Sequence, residues 1–361
     1  MVAVHRSLRS FFSLLLLVAA MDKAGAMASG DAAGTIRCLF SDIDGTLVHY
    51  YDNNASPPGL PEVIPLPASA TGRMARISVE TLKLAARVRA TGARLVLVSG
   101  VRYSTFANRL PYLPRADAYV IENGGRIFYP REALSGPRAF GNDDRSVPVE
   151  SAVGDPSLTG HAPSALEEDL EWRMRIERVT GPASQDDKMP AFRFGPLWDV
   201  YRKAVRDGFN VDADSYYTMM RIKVNPSRGG PNEDQKRGDF GEGPGDEGAM
   251  KQLLASLPPG LRVVTNFGLV DICPEGSGKH NAAAYLAKVR FGVPLAKCAS
   301  MGDDDNDIAL ANIMGKGAYI TTFSSESVEV AAKESPEQYT VSKEEGVKSS
   351  EEMLRLILAA C

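Results

Sequence analysis

The sequence predicts an α/β protein: a parallel sheet assembled from both ends of the chain, with a large α+β segment inserted between them. Three observations predict it. Apolar runs short enough for buried strands alternate with amphipathic helical stretches near both ends. The middle of the chain breaks that alternation. Each unusual polar cluster falls at the carboxyl end of a predicted strand, which is where open parallel sheets bind ligands. With 361 residues there is room for two ordinary domains.

The first 28 residues stand apart. Arg6 and Arg9 precede the apolar run "FFSLLLLVAA", no acidic residue appears before Asp22, and small-residue sites follow at Ala24–Ala26 and Ala26–Ala28. This layout predicts a signal peptide and the secretory pathway. A transit peptide to an organelle is the rival, and a start at Met21 or Met27 would leave the protein in the cytoplasm. The run is half the roughly 20 residues that a spanning helix needs, so no stable membrane span is expected. The sequon Asn54-Ala55-Ser56 matters only in a secreted chain.

From Ile36 the elements follow in order. "IRCLFSDID" reads as a strand buried on both faces. "ISVETLKLAARVRATG" is an amphipathic helix with Ser78 as its N-cap and Gly92 as its stop. "RLVLVSG" and "AYVIENGG" are two further buried strands, with a helix over Tyr103–Leu110 between them. Beyond Tyr129 the pattern changes to helix-like segments at 164–179, 196–207 and 247–257 and strand-like ones at 216–224 and 261–268. The stretch 225–248 is too rich in Gly, Pro and charge to pack and is expected to be a disordered loop. "LVDICP", "HNAAAYLAKVRF", "KCASMGD", "DIALANIMG" and "GAYITT" then resume the strand–helix rhythm. The expected organisation is a targeting segment over 1–28, a core from 36–128 plus 262–361, and an inserted domain over 129–261.

Composition narrows the function classes. The chain is 44% hydrophobic and 24% charged, with a formal net charge of −4, which argues against a nucleic-acid surface. Cys38, Cys273, Cys298 and Cys361 form no CxxC pair. Cys38 and Cys298 sit in apolar runs, as small buried hydrophobes do. Neither zinc nor a disulfide framework is expected.

Four strand ends carry the polar clusters: Asp42 and Asp44, Ser99 and Gly100, Lys279 after "DICPEGSG", and Asp303, Asn306 and Asp307 after "KCASMG". Asp44-Gly45 alone would pass for a turn. Asp42 is harder to dismiss, because a carboxylate closes an apolar strand there. The run "DDDNDIALANIM" is not an EF-hand loop, since its sixth and twelfth positions are Ile308 and Met314. "GSGKH" is not a P-loop, since Cys273 stands where the first Gly belongs and His280 where Ser or Thr belongs. Asp304 and Asp305 are explained as the acidic first turn of a helix. Lys279 opposes the dipole of its own helix, which suggests that it faces an anion. A divalent cation and a phosphate would balance carboxylates gathered from two other strand ends.

Taken together and in this order, Asp42-x-Asp44-Gly45-Thr46, Ser99-Gly100, Lys279 and Gly302-Asp303-x-x-Asn306-Asp307 resemble the haloacid dehalogenase superfamily of phosphohydrolases. "VIENGGRIFY", "DICPEGSGKHNAAAYL" and "MGDDDNDIAL" are most similar to its Cof-type, sucrose-phosphate-phosphatase-like branch. The resemblance covers about 36–128 and 262–335. It implies a Rossmann-like core with a large inserted cap and a Mg2+-dependent phosphatase acting on a small phosphate ester, most often a sugar phosphate. By the same resemblance Asp42 is the nucleophile and Asp44 the general acid/base. Ser99, Gly100 and Lys279 hold the phosphate. Asp42, the Asp44 carbonyl and Asp303 hold the metal, with Thr46, Asn306 and Asp307 in support. Two departures stand out. Val101 occupies the place of the usual Arg, leaving Arg102 one position late, and the stretch His49–Arg76, where the family has a flap, is long. A hexose phosphomutase and a non-catalytic phosphate-sensing module are the rival readings. No motif bears on oligomeric state.

Overall fold

The computed structural model describes residues 35–51, 62–69, 72–131, 158–223, 246–266 and 269–361. The expected targeting segment, the sequon at Asn54 and residues 225–245 of the expected loop lie outside them. Asp246–Gly248 open a helix instead.

The chain enters through β1 (Cys38–Ser41), which is fully buried and pairs in parallel with β5 (Arg94–Val98) on one side and β13 (Cys298–Gly302) on the other. Both faces of β1 are covered, so its sequence is continuously apolar rather than alternating. Between β1 and β5 run β2 (His49–Tyr50), β3 (Val63–Leu66) and β4 (Ala75–Ser78), a small antiparallel sheet, and then α1 (Val79–Ala90). The Ser78 hydroxyl caps α1 by accepting from the Thr81 amide at 2.9 Å. After β5 come α2 (Tyr103–Arg109), β6 (Ala118–Ile121) and β7 (Arg126–Pro130). The inserted part contributes β8 (Leu166–Glu168), α3 (Leu170–Thr180), α4 (Pro196–Arg206), β9 (Asn210–Asp212), β10 (Met220–Lys223), α5 (Asp246–Ala255), β11 (Leu261–Asn266) and β12 (Leu269–Pro274). The chain ends with α6 (Lys279–Tyr285), β13, α7 (Asp305–Ala311), β14 (Ala318–Ile320), α8 (Glu326–Glu334), β15 (Tyr339–Val341) and α9 (Val347–Ala359).

The large sheet has the order β15-β14-β13-β1-β5-β6-β7-β8 and is parallel except at β7 and β8. On one face Leu82, Leu84, Ala85 and Val88 of α1 pack with Met353, Leu354 and Ile357 of α9. On the other, Ala282 and Ala283 of α6 cover Phe40, Val96 and Val120. The small antiparallel sheet β11-β12-β10-β9 is backed by Leu197, Trp198 and Val200 of α4 and by Met250 and Leu253 of α5.

The pairing differs from expectation at both ends of the insertion, placed at 129–261 from sequence. The chain does not leave the large sheet at Tyr129, because β8 still pairs with β7 there, which also splits the expected helix at 164–179. At the far end, β11 and "LVDICP" (β12) belong to the small sheet. The reason is that β12 is covered on both faces. Val270 and Ile272 face the small core, while Cys273 packs with Tyr216 and Met219. Such a strand reads like a parallel one.

The two sheets are joined by the turn after β6. Glu122 and Asn123 both adopt positive φ, 55° and 52°, which is uncommon for residues with side chains. The turn aims both side chains at the small sheet. Glu122, fully buried, accepts from the amides of Tyr217 (2.9 Å) and Thr218 (2.7 Å) and from the Thr218 hydroxyl. Asn123 donates to Asp271 at 2.9 Å, and Asp271 is held in bidentate fashion by Arg221.

Asp117, at the entry to β6, binds Arg89, Arg94 and the Leu95 amide, so it locks α1 and β5 to β6. Burial alone would raise its carboxyl, but Arg89, Arg94 and the amide outweigh it and pull the group down to about 2. A depressed folded-state value stabilises above the unfolded carboxyl range, and that stabilisation is lost as pH falls through the folded value. Wild type should therefore exceed Asp117→Asn in unfolding free energy by about 2 kcal/mol at neutral pH. Urea titrations should show the gap closing between about pH 4 and pH 2. A gap unchanged at pH 2 would disprove the assignment.

Candidate active site

The parallel pairing of β1 with β13 and β5 sets three strand ends side by side, and Asp42, Asp303 and Ser99 follow directly from them. Gly45 takes φ 85°, open to glycine at no steric cost. A Cβ there would lie 2.1 Å from Asp303 Oδ2, so the turn after β1 can press against the β13 end only with glycine in place. The Thr46 hydroxyl reaches beyond its own turn. It donates to Asp303 Oδ1 at 2.8 Å, across 257 residues.

Asp42, Asp303 and Asp307 form a buried carboxylate cluster in which one oxygen from each lies within 4.8 Å of the others. Lys279 is the first residue of α6 and only 2% exposed. Its Nζ sits 3.0 Å from Asp42 and 2.7 Å from Asp307. Burial alone would lower Lys279, but the carboxylates of Asp307 and Asp42 more than offset this and raise it. Burial also raises Asp42 well above the ordinary carboxylate range, despite the opposing charge of Lys279. Burial, then the neighbouring Asp307, pushes Asp303 up to about 8. Asp303 Oδ2 is buried with no hydrogen-bond partner. An orphaned carboxylate oxygen inside a cluster of three carboxylates and one ammonium is what a divalent cation would complete.

The other expected residues take definite places. The Ser99 hydroxyl, buried at the end of β5, accepts from the Val101 amide at 3.1 Å, and Gly100 is buried beside it. Asp304 is the N-cap of α7, and Asp307 Oδ2 accepts from the Asp303 and Asp304 amides, so Asp307 both caps the helix and binds Lys279. Asn306 has a buried side-chain oxygen with no partner. Arg102 is spent elsewhere, pairing with Asp212 of β9.

Asp44 reveals what sequence reasoning missed. Its Oδ1 accepts from the Tyr50 hydroxyl (2.6 Å) and from Arg109 Nη1 (2.8 Å), and Arg109 also donates to the Pro67 carbonyl. Arg109 is 2% exposed, at the end of α2. The long stretch after β1 thus delivers Tyr50 to the second carboxylate and the Pro67 carbonyl to the arginine beside it. Asp44 Oδ2 has no partner among the described residues.

Residues 245–347, which hold Lys279, Asp303 and Asp307, match the family model for haloacid dehalogenase-like hydrolases. The chain shares its fold with the sucrose-phosphatase of Synechocystis sp. PCC6803, solved with sucrose and phosphate. That match has a TM-score of 0.52 at 15% identity and covers 90% of this chain and 98% of that one. A phosphatase of the haloalkanoate superfamily from Bacteroides thetaiotaomicron aligns over 92% of this chain and 98% of its own, at 16% identity and TM-score 0.46. No curated protein matches the sequence.

Arg109→Met would strand Asp44, whose side chain is 12% exposed, without its cation. Removing one member of a buried pair costs about 3 kcal/mol. Chemical unfolding should show a loss of that size; a loss below about 1 kcal/mol would mean that water screens the pair.

Proposed function

We propose that the protein is a magnesium-dependent phosphatase of small phosphorylated metabolites, favouring sugar phosphates, that works through an aspartyl-phosphate on Asp42. One observation carries the reading: a buried carboxylate, Asp42, faces Lys279 and the orphaned oxygen of Asp303, with Asp44 two residues away. A buried carboxylate cluster with a paired lysine suits an incoming dianion and its counter-cation better than it suits a packed core.

The donor set fits magnesium, a hard cation that takes oxygen ligands. Asp42, Asp303 and the Asp44 backbone carbonyl would hold it, with Asp307 beside them, and it would neutralise charge on the bound phosphate. The Ser99 hydroxyl, the Gly100 amide and Lys279 bind phosphate oxygens. Asp42 attacks phosphorus, the ester P–O bond breaks, and Asp44 gives its proton to the departing alkoxide. Water then attacks the acyl phosphate, Asp44 takes the proton, and inorganic phosphate leaves with Asp42 regenerated. Arg109 and Tyr50 hold one oxygen of Asp44 and fix its orientation, which leaves the other to handle the proton.

Two outcomes are expected. Release of inorganic phosphate from a sugar phosphate, followed with malachite green, should vanish in excess EDTA, return with magnesium, and be nearly lost in Asp303→Ala. Full turnover in EDTA would remove the metal from the mechanism, and conversion to an isomeric sugar phosphate would make the enzyme a mutase. Asp44→Asn should lower turnover by a factor of about 10² to 10⁴. Its first step should suffer less with p-nitrophenyl phosphate, whose leaving group needs no proton, so phosphorylated Asp42 should accumulate. Equal slowing of the first step with both esters would refute the acid/base role of Asp44.

A further inference from the structure

A cleft of about 210 Å³ lies against Lys279, with walls from both sheets. The helix starts supply Lys279, His280 and Asn306, the turn after β6 supplies Asn123, and β11 of the small sheet supplies Arg262. Three of these residues carry a polar atom that is buried and unpartnered: Asn123 Oδ1, Arg262 Nε and Asn306 Oδ1. Asn123 is 1% exposed, and its amide nitrogen is committed to Asp271, so the bare oxygen is fixed in place. A buried polar group left without a partner is costly. Three such atoms on one cleft are better explained by a ligand that completes them than by chance packing.

Arg262 identifies the kind of ligand. Its Nη2 would lie 2.5 Å from a Cβ on Gly278, so the guanidinium rests on the turn that leads into Lys279 and His280. Arg109, Arg126, Arg173 and Arg221 all have carboxylate partners. Among the described residues no carboxylate pairs with Arg262, whose guanidinium reaches the Cys273 thiol. Asp305, the one carboxylate on the cleft wall, is bound by the Ser327 hydroxyl. Burial and then the charge of Arg262 hold His280 below the ordinary imidazole range, so the ring is a neutral neighbour. A guanidinium with no carboxylate partner, set beside Asn123, His280 and Asn306, is suited to an anion.

We propose that this cleft receives the leaving group of the phosphate ester and that Arg262 selects substrates whose leaving group carries a second anion, a carboxylate or a further phosphate. Asn123 and Asn306 accept hydrogen bonds from hydroxyls between the two anionic ends. The proposal rests on the phosphatase reading and narrows it from any sugar phosphate to a doubly anionic ester.

Matched esters test it by steady-state kinetics with magnesium. Phosphoglycerate against glycerol phosphate and phosphogluconate against sorbitol phosphate form the carboxylate arm; fructose bisphosphate against fructose monophosphate forms the phosphate arm. Wild type should favour the doubly anionic member by about tenfold or more in kcat/KM in at least one arm, and that arm identifies the anion. Arg262→Gln should reduce the preference about tenfold, mainly through KM, and Arg262→Lys should retain part of it. A wild-type ratio near one in every pair overturns the proposal whether or not the variants fold. So does an Arg262→Gln enzyme that keeps the preference. Failure to hydrolyse any of these esters, or p-nitrophenyl phosphate, would instead overturn the phosphatase reading and the proposal with it.

Discussion

Like charges gathered out of water are the constraint on which the rest of the molecule depends. Asp42, Asp303 and Asp307 share one buried place with a single ammonium, that of Lys279. With all three ionised, Coulomb repulsion at such distances would drive the strand ends apart in a low-dielectric interior unless other contacts held them. The central position of β1 between β5 and β13 supplies that hold, because hydrogen bonds on both edges fix Asp42 relative to Asp303. Thr46, the amides that cap α7, and the bare Gly45 then let the carboxylates approach without a clash. The fold is therefore a device for keeping an unfavourable charge arrangement ready for a partner.

The small sheet is set by a second, independent constraint. Glu122 and Asn123 sit in strained backbone and reach across to Thr218 and Asp271. A Cβ on Gly124 would lie 2.3 Å from the Gly278 carbonyl oxygen, so the turn after β6 and the turn before Lys279 are pressed together. The lysine that serves the carboxylates and the wall that carries Arg262 are thus positioned by the same pair of turns. Backbone strain of this kind persists only where surrounding structure over-determines it. Here the over-determination comes from three donors converging on one buried carboxylate oxygen of Glu122.

Much of the core was legible in the sequence for a simple reason. A carboxylate that closes an apolar strand, or a lysine at a helix start, conflicts with its local surroundings, and such conflicts mark sites. Asp42, Lys279 and Asp303 were all found in this way. Arg109 was not, because an arginine at the end of an amphipathic helix looks like an ordinary solvent-facing cation. Its partner, Asp44, lies 65 residues earlier. Glu122 and Asn123 resembled the family without revealing a task, since positive φ in residues with side chains is imposed by tertiary contacts. β12 was assigned to the wrong sheet because burial on both faces erases the alternation that separates antiparallel from parallel strands. The short strands β9 and β15 and the helices α8 and α9 had no chemistry attached to draw attention to them.

The register of β1 also bears on how the chain is made. Cys38 pairs with Arg94 on one edge and with Cys298 on the other. A ribosome synthesises the first partner soon after β1 and the second only near the end. Throughout most of translation one edge of the central strand has no mate, and an unpaired apolar edge is a template for the wrong chain. The carboxylate at its tip has neither Lys279 nor Asp303 beside it during that time. The nascent N-terminal half can therefore carry Asp42, Asp44, Ser99 and Gly100 and still contain no site, which comes into being only when the last third of the chain is threaded against the first.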